Sequence, residues 1–564
     1  MLHRGFGHCN LERPSARAVQ GPRCTVRVHA TPAAALTSYD IPLRGDARSH
    51  ETDVVVIGSG IGGLSCAAML AKYGLQVTVC ESHSIPGGAA HAWVRDGYHF
   101  ESGPSLYSGM ADRGKAANPL AHVLQAVGEE LDLIKYNTWN VLVPEGNFLT
   151  RIGSDNFFEV LDKINGPNSP ASREWATLLE TMRPLAAAST MMPPAALRYD
   201  LGALITAFGR YLPALLTSGP ATMKLTGPFS KVMSDVKDPF VRNYLDLLCF
   251  LLSGLPANGT IAAEVAFMFN QWFEPNCQLE FPVGGSQAMV DALCRGTQKH
   301  GGRLLLSTHV EQIMISGSGA ATGVSLRGGG VIKARKAVVS GASIWDTLRL
   351  LPPGSAPPEY AEASEDTPMC PSFMHLHIGF DATDLPPDLE MHHIVVNSWD
   401  QGVDCPQNVV LISIASVKDP GMAPPGKHTL HAYVPATEPY ELWKGLDRRS
   451  PEYAALKEER SQVLWAAVER IIPDIRARAH ITMVGTPLTH ERFLRRHRGS
   501  YGPAIMAGQA MFPGPKTPIP GLLCCGDSSF PGIGLPAVAA SGTIAANTLV
   551  SVGQHLKMLE GLGL

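Results

Sequence analysis

Between residues 53 and 57 the chain reads Asp53-Val54-Val55-Val56-Ile57, a short apolar and β-branched run that predicts a buried strand. Six residues rich in glycine follow, Gly58-Ser59-Gly60-Ile61-Gly62-Gly63, and then a small-residue stretch from Leu64 to Tyr73 with helical spacing, closed by Gly74 as its C′ residue. Gln76 to Cys80 is apolar again and predicts a second strand ending on Glu81. Further along, the pattern predicts a helix over Met289–His300 and strands at Arg303–Leu306, His309–Ile315, Ala321–Leu326 and Val331–Ala334, with a last apolar run at Ala337–Ala342. Strands are also predicted at Phe373–Phe380 and Val409–Ile414, and a charged helix around Ser450–Ile472. Near the far end, Gly521–Cys525 reads as a strand, followed by a glycine loop and a helix opening at Pro536.

Strand, glycine turn, helix, strand and terminal acid form the dinucleotide fingerprint, and each part has a physical task. Gly58 permits the tight turn, Gly60 admits a pyrophosphate close to the backbone, and Gly63 lets the helix pack on the strand, with Gly62 beside it. Free N–H groups at the helix start attract phosphate. Glu81 is placed to accept from ribose hydroxyls, and its charge would repel a 2′-phosphate, which argues against NADP.

Composition narrows the class. With 564 residues, two or three domains are expected, and 45% hydrophobic against 17% charged residues supplies a large core. A formal net charge of −4 gives no reason to expect nucleic-acid binding. The 11 cysteines show no CxxC pair, so neither zinc nor a disulfide framework is implied. His375 and His377 alternate on a predicted strand and His392-His393 follow, but no carboxylate or cysteine completes a recognised ligand spacing, so no metal is expected. Arg492, Arg495, Arg496, His497 and Arg498 read as a solvated or ion-paired helix face, with docking of anionic lipid headgroups as the functional alternative. No serine or cysteine nucleophile with a partnered base stands out. Catalytic side chains are therefore not assigned, and the chemistry is expected to belong to a cofactor.

Two stretches bear on location. Up to Ser38 there are five arginines, one acid (Glu12) and many small residues, the makeup of an organellar transit peptide, which the reading places at 1–50. No spanning helix is expected, since the most apolar window, Tyr244–Leu255, is short and contains Asp246. Between 184 and 260, short apolar helices broken by Pro and Gly could line a pocket for a long apolar substrate, dip into one leaflet, or simply be core.

Beyond Glu81-Ser82, a second glycine pair in Pro86-Gly87-Gly88-Ala89-Ala90 resembles the extension of flavoprotein oxidases and desaturases, which lies along the ribityl chain and pyrophosphate of FAD. Glu101-Ser102-Gly103-Pro104-Ser105 resembles the segment beside the flavin ring, and Cys525-Gly526-Asp527 the piece whose acid bonds the ribityl chain. Together with His309-Val310, Gly499-Ser500-Tyr501-Gly502-Pro503 and Ser528 to Ala537, these motifs resemble the carotenoid desaturase and isomerase branch of FAD flavoproteins over about residues 52–550, nearest its carotenoid-isomerase-like group. That branch includes bacterial-type phytoene desaturase, plastid and cyanobacterial prolycopene isomerase, and animal retinol saturase.

The resemblance implies an α/β fold: a discontinuous Rossmann-like FAD domain at 51–110, 280–345 and 485–552, with an inserted mixed α+β substrate domain at 111–279 and 346–484. It implies FAD contacts at Gly58, Gly60, Gly62, Gly63, Glu81, Ser82, Gly87, Gly88, Ala89, Gly103, Pro104, Ser105, Val310, Gly526, Asp527, Gly534, Pro536 and Ala537. It further implies a long polyene substrate, a plastid, a peripheral membrane and a quinone or other redox partner. Isomerisation, desaturation or saturation, and non-catalytic pigment binding all stay open; Gly103-Pro104-Ser105 resembles the desaturase form at least as well as the isomerase form.

Overall fold

The run at 53–57 forms the middle of a sheet. In the computed structural model, which describes residues 49–103, 106–213, 216 and 223–564, β1 (His50–Ile57) enters the glycine turn, α1 (Ile61–Lys72) follows, and β2 (Val77–Cys80) returns parallel to β1. The transit segment, except Ser49 and His50, and the pair Pro104-Ser105 lie outside the described residues. Tyr73 ends α1, and Gly74 takes φ +88°, the left-handed value that a C′ glycine adopts without steric cost.

Next come a hairpin, β3 (Ala92–Arg95) and β4 (Tyr98–Glu101), three strands, β5 (Leu133–Tyr136), β6 (Thr138–Val143) and β7 (Gly146–Arg151), and a helical stretch. Its principal helices are α2 (Pro170–Ser189), α3 (Gly202–Arg210), α4 (Pro239–Ser253) and α5 (Ala262–Trp272). α4 shows how local chemistry sets boundaries: the Asp238 side chain accepts from the Val241 N–H, Pro239 opens the first turn, and Gly254 closes the helix in the left-handed region.

β8 (Leu279–Pro282) pairs with β5, and α6 (Ser286–Lys299) leads to β9 (Arg303–Leu305), β10 (Val310–Ile315), β11 (Ala321–Leu326) and β12 (Val331–Ser340). β12 is one strand where two were expected. Arg335 interrupts its apolar pattern, yet the side chain stays at the surface, paired with Glu51 at 3.2 Å and Asp53 at 3.1 Å, and the backbone runs on. β13 (Ser372–Asp381), β14 (His392–Val396), β15 (Val409–Ser413), β16 (Lys427–Glu438), α7 (Pro451–Glu469), β17 (Ala479–Gly485) and α8 (Pro487–Leu494) follow. The chain then returns to the first sheet as β18 (Leu522–Cys524) and α9 (Leu535–Thr548).

The first sheet runs β10-β11-β12-β1-β2-β9, with β18 beside β12. β18, β12, β1, β2 and β9 are mutually parallel, while β10 and β11 are antiparallel. Parallel strands must be covered on both faces, which is why Val54, Val55 and Val56 are all fully buried. One sheet thus unites residues from 50–80, 303–340 and 522–524, in the expected α/β Rossmann-type arrangement.

The second sheet, β17-β13-β16-β15-β14-β6-β7, is antiparallel but for the β14–β6 pair. Alternation sorts its residues. Met374, Leu376, Ile378 and Phe380 of β13 join Leu430, Ala432 and Val434 of β16 in a core with Leu464, Trp465 and Val468 of α7. Phe373, His375, His377, His431 and Tyr433 take the opposite face, turned toward the β3–β4 hairpin, where Trp93 meets His377 at 5.0 Å.

The apolar stretch 184–260 divides. Leu245, Leu247, Leu248, Cys249 and Phe250 of α4 are core, and Asp246 accepts the Ala257 N–H at 2.9 Å. α3 does the reverse. It buries Gly202 and Thr206 and exposes Leu204, Ile205 and Phe208 at 58% each, with Leu201 at 85%. Among the described residues no helix is long and apolar enough to cross a membrane.

Candidate functional site

The glycine turn is shaped from within the protein on one side and open on the other. Gly58 has φ +88° and donates its N–H to the Cys80 carbonyl at 2.8 Å, tying the turn to β2. A Cβ on Gly63 would lie 2.3 Å from the Gly58 oxygen, and one on Gly62 would lie 2.9 Å from the Gly526 Cα, so both glycines permit backbone contact. A Cβ on Gly60 would meet nothing within 4 Å. Gly60 caps α1 without any side-chain hydrogen bond, leaving the first N–H groups and the positive helix end facing that space.

Glu81 is buried and already engaged. Its Oε2 accepts from the Ser59 N–H at 2.8 Å and the Ser59 hydroxyl at 2.6 Å, and its Oε1 from the His83 N–H at 2.7 Å. The Ser82 hydroxyl stands 3.5 Å from Oε1. This carboxylate therefore also organises the turn, beyond the ribose contact expected of it. The Thr308 N–H donates to the Glu81 carbonyl at 2.7 Å, bringing the start of β10, with Val310, to the same edge.

The second glycine pair folds onto the first. Gly87 and Gly60 form an isolated β-bridge, and a Cβ on Gly88 would lie 3.0 Å from the Gly60 Cα. Gly103 sits against Ala89, since a Cβ there would fall 2.0 Å from the Ala89 oxygen. From the far end of the chain, the Gly526 N–H donates to Ser541 Oγ at 2.8 Å, and Gly534 caps α9 with φ +97° and no side-chain bond, with Pro536 and Ala537 in the first turn. Sequence positions more than 450 apart thus surround one space with two uncapped helix N-termini.

Arg496 was not singled out by its sequence. Its guanidinium pairs with Asp527 Oδ2 at 2.6 Å and donates to the Ser500 and Tyr501 carbonyls at 2.8 and 3.0 Å. The expectation of one basic helix face at 492–498 is corrected accordingly: α8 stops at Leu494, and Arg495 and Arg498 take positive φ, +55° and +51°. The cluster splays, and Arg496 turns inward. Beside it, the Ser500 and Ser529 hydroxyls are buried without a partner. Two helix N-termini, carboxylates at both ends, open space at Gly60 and these unused hydroxyls fit a flavin dinucleotide.

The four histidines singled out for their spacing do not converge. His392 bonds the Tyr136 hydroxyl at 3.1 Å and His393 the Glu390 carbonyl at 2.9 Å, whereas His375 and His377 meet His431 and His490. His375, His377 and His431 offer ligand atoms within 4.8 Å of one another. Their geometry is that of hydrogen bonding. His375 Nδ1 lies 2.9 Å from His431 Nε2, too close for two ligands of one tetrahedral ion, and His377 stacks on His431 with ring planes 15° apart, so the two lone pairs cannot aim at one point. Burial pushes His375 down to about 3, and His377, His431 and His490 well below the ordinary imidazole value, holding all four neutral. Nearby, burial outweighs the Ser286 N–H bond and raises Glu101 to about 7.

Residues 61–550 match the family model of flavin-containing amine oxidoreductases. The chain is 31% identical over 523 residues to a chloroplastic prolycopene isomerase of Daucus carota, covering 90% of this chain and 81% of the relative. It is 25% identical to a lycopene-forming phytoene desaturase of a Paracoccus strain, covering 88% and 97%. Among solved structures, putrescine oxidase bound to putrescine superposes with a TM-score of 0.57 at 17% identity, covering 89% of this chain and 98% of that one.

Proposed function

The chain belongs to the family of flavin-containing amine oxidoreductases and is an FAD-dependent enzyme, and from that premise we propose that it is a carotenoid cis–trans isomerase acting on a long apolar polyene. The observation that carries this reading is the identity to prolycopene isomerases, 31% over about nine-tenths of the chain, against 25% to the desaturase and to all-trans-retinol 13,14-reductase of Homo sapiens.

In this reading FAD is held by Gly58, Gly60, Gly62 and Gly63 at the α1 N-terminus, by Glu81 and Ser82, by Gly87, Gly88, Ala89 and Gly103, by the backbone of Val310, and by Gly526, Asp527, Gly534, Pro536 and Ala537. Pro104 and Ser105 complete the set in sequence but lie outside the described residues. The FAD domain comprises 51–110, 280–345 and 485–552, and the substrate domain 111–279 and 346–484. Held there in its reduced form, FAD would supply the reversible electron or hydride chemistry that lowering the order of a target C=C requires. The protein's part is to hold it: the α9 N-terminus favours a negative edge, and Arg496 neutralises and orients Asp527. The chloroplastic relatives and the composition of 1–50 support a plastid location. The exposed apolar stripe of α3 supports peripheral attachment to a membrane, where such a substrate dissolves.

Desaturation is the second reading, favoured by Gly103-Pro104-Ser105 and by the desaturase relative, and it would need a quinone or other electron acceptor. FAD-loaded protein incubated with cis-carotenes under anaerobic reducing and under oxidising conditions separates the two. Isomerisation yields a product of unchanged mass with altered geometry and consumes no stoichiometric reductant. A product lighter by two hydrogens, formed only with an oxidant, overturns it.

A further inference from the structure

Three imidazoles between the second sheet and the flavin site form a continuous hydrogen-bonded line. His375 Nε2 lies 2.6 Å from His490 Nε2, and their ring planes are within 2° of parallel with centroids 4.7 Å apart. On the other side His375 Nδ1 lies 2.9 Å from His431 Nε2, with rings 22° apart and centroids 5.1 Å apart. Both centroid separations exceed the N···N distances by about the width of a ring. The rings therefore meet edge to edge, nitrogen against nitrogen, which is the geometry of proton transfer and not of face-to-face stacking.

The line has a distinct end on each side. His431 lines a cavity of about 10 Å³, the room one water needs, together with Glu101, His99, Ser413 and Thr429. His99 is only partly buried, so this end lies toward solvent. At the other end His490 sits on α8 one turn before its end and meets the Gly499–Pro503 loop: a Cβ on Gly499 would touch its Cβ at 3.0 Å, and Arg496, bonded to Asp527, lies close enough to depress its basicity. His490 Nδ1 is buried without a hydrogen-bond partner.

We propose that His431, His375 and His490 are a buried proton relay connecting the Glu101 cavity to the wall of the flavin site that carries Arg496 and Asp527. Each ring accepts a proton on one nitrogen and releases one from the other, so one proton enters at His431, one would leave from His490 Nδ1, the ring nitrogen without a partner in the protein, to the bound cofactor or a water beside it, and all three rings exchange tautomer. A neutral central ring is suited to this, because it has one N–H and one lone pair and can point both bonds in either direction. Glu101, held near neutral pH by burial, is matched to load the line. The other polar groups around it are His377, stacked on His431 at 4.4 Å, Tyr433, His91 and Arg496; His377 makes no in-line bond. FAD bound beside this wall would take up one proton on accepting two electrons from a donor, and the relay would supply a path for that proton.

The proposal rests on FAD and not on the polyene reading, and its test uses no carotenoid. Stopped-flow reduction of the FAD-loaded protein by saturating dithionite is followed at the flavin absorbance in H2O and D2O, for wild type, His375→Phe and His377→Phe. The phenylalanine at 375 removes both nitrogens and keeps the ring. We expect His375→Phe to retain flavin and its spectrum yet reduce at least about tenfold more slowly, while His377→Phe reduces at the wild-type rate. Equal rates in wild type and His375→Phe, or equal slowing in both variants, overturn the relay. Where His375→Phe fails to fold, the wild-type proton inventory decides: a bowed dependence on deuterium fraction means that several protons move together, and a linear or absent one overturns the proposal.

Discussion

Gly60 and Gly63 stand three residues apart in one motif and answer to different constraints. Gly63 touches protein, its absent Cβ 2.3 Å from a carbonyl oxygen, whereas Gly60 faces open space in front of a helix end. Gly63→Ala is therefore expected to strain the folded chain itself, by about 1–3 kcal/mol or more, visible as a lower melting temperature. Gly60→Ala has an allowed φ of −62° and no neighbour to strike, so the apoprotein should melt as wild type does. Its methyl group would instead intrude on the dinucleotide, and the flavin-to-protein ratio after gel filtration should fall. Equal flavin retention in Gly60→Ala and wild type would contradict the placement. Both glycines were legible in the sequence because their roles are set within one strand-turn-helix unit. Arg496 was not, since its partner Asp527 lies 31 positions away and no local pattern marks which arginine of the 492–498 cluster turns inward. His431 and His490 were missed for the same reason: they join His375 from another strand and another helix.

At the scale of elements, the two apolar helices between 184 and 260 show how similar compositions end in opposite environments. α4 is sealed by α5, the Asp238 cap and the Asp246–Ala257 bond, and its leucines are core. α3 is held by its small face, where a Cβ on Gly202 would strike Val552 and the Arg198 side chain, and by Arg198, which donates to the Val550 carbonyl at 2.8 Å and pairs with Asp200 at 2.6 Å. Leu201, Leu204, Ile205 and Phe208 then project outward at i, i+3, i+4 and i+7, an apolar stripe with Arg210 at its end. Such side chains contribute roughly 1.5–3 kcal/mol each when fully buried. Replacing Leu204, Ile205 and Phe208 together by serine should abolish co-sedimentation with plastid-lipid vesicles. Stability should move little, because these side chains contact little of the folded protein. Vesicle binding that survives the triple variant would place the membrane contact elsewhere.

For the whole molecule, the cofactor's role follows from topology. The segments 50–101, 303–340 and 522–548 come together from positions far apart in the chain, so FAD held as proposed would bridge them as well as occupy a groove. A ligand present at one hundred times its dissociation constant contributes about 2.7 kcal/mol to stability. Stripping FAD should therefore lower the melting temperature by several degrees, and adding FAD back should restore both the transition and the yellow colour. Identical melting of the stripped and loaded forms would show that the segments assemble without the cofactor's help.

The sequence by itself determined what depends on neighbours within a few turns: the β1–α1–β2 unit, the glycine that ends α1, the alternation of β13, and the glycine turn and terminal acid that mark a dinucleotide site. These are short-range matters of backbone freedom, hydrogen bonding and apolar period, and one window of residues contains all the terms. The tertiary structure alone decided which arginine meets Asp527, that Glu81 is held by Ser59, that α4 is interior while α3 shows its apolar face, and that His431, His375 and His490 line up edge to edge. Each of these depends on the burial and direction of groups brought together across tens to hundreds of residues, and on packing that local periodicity does not encode.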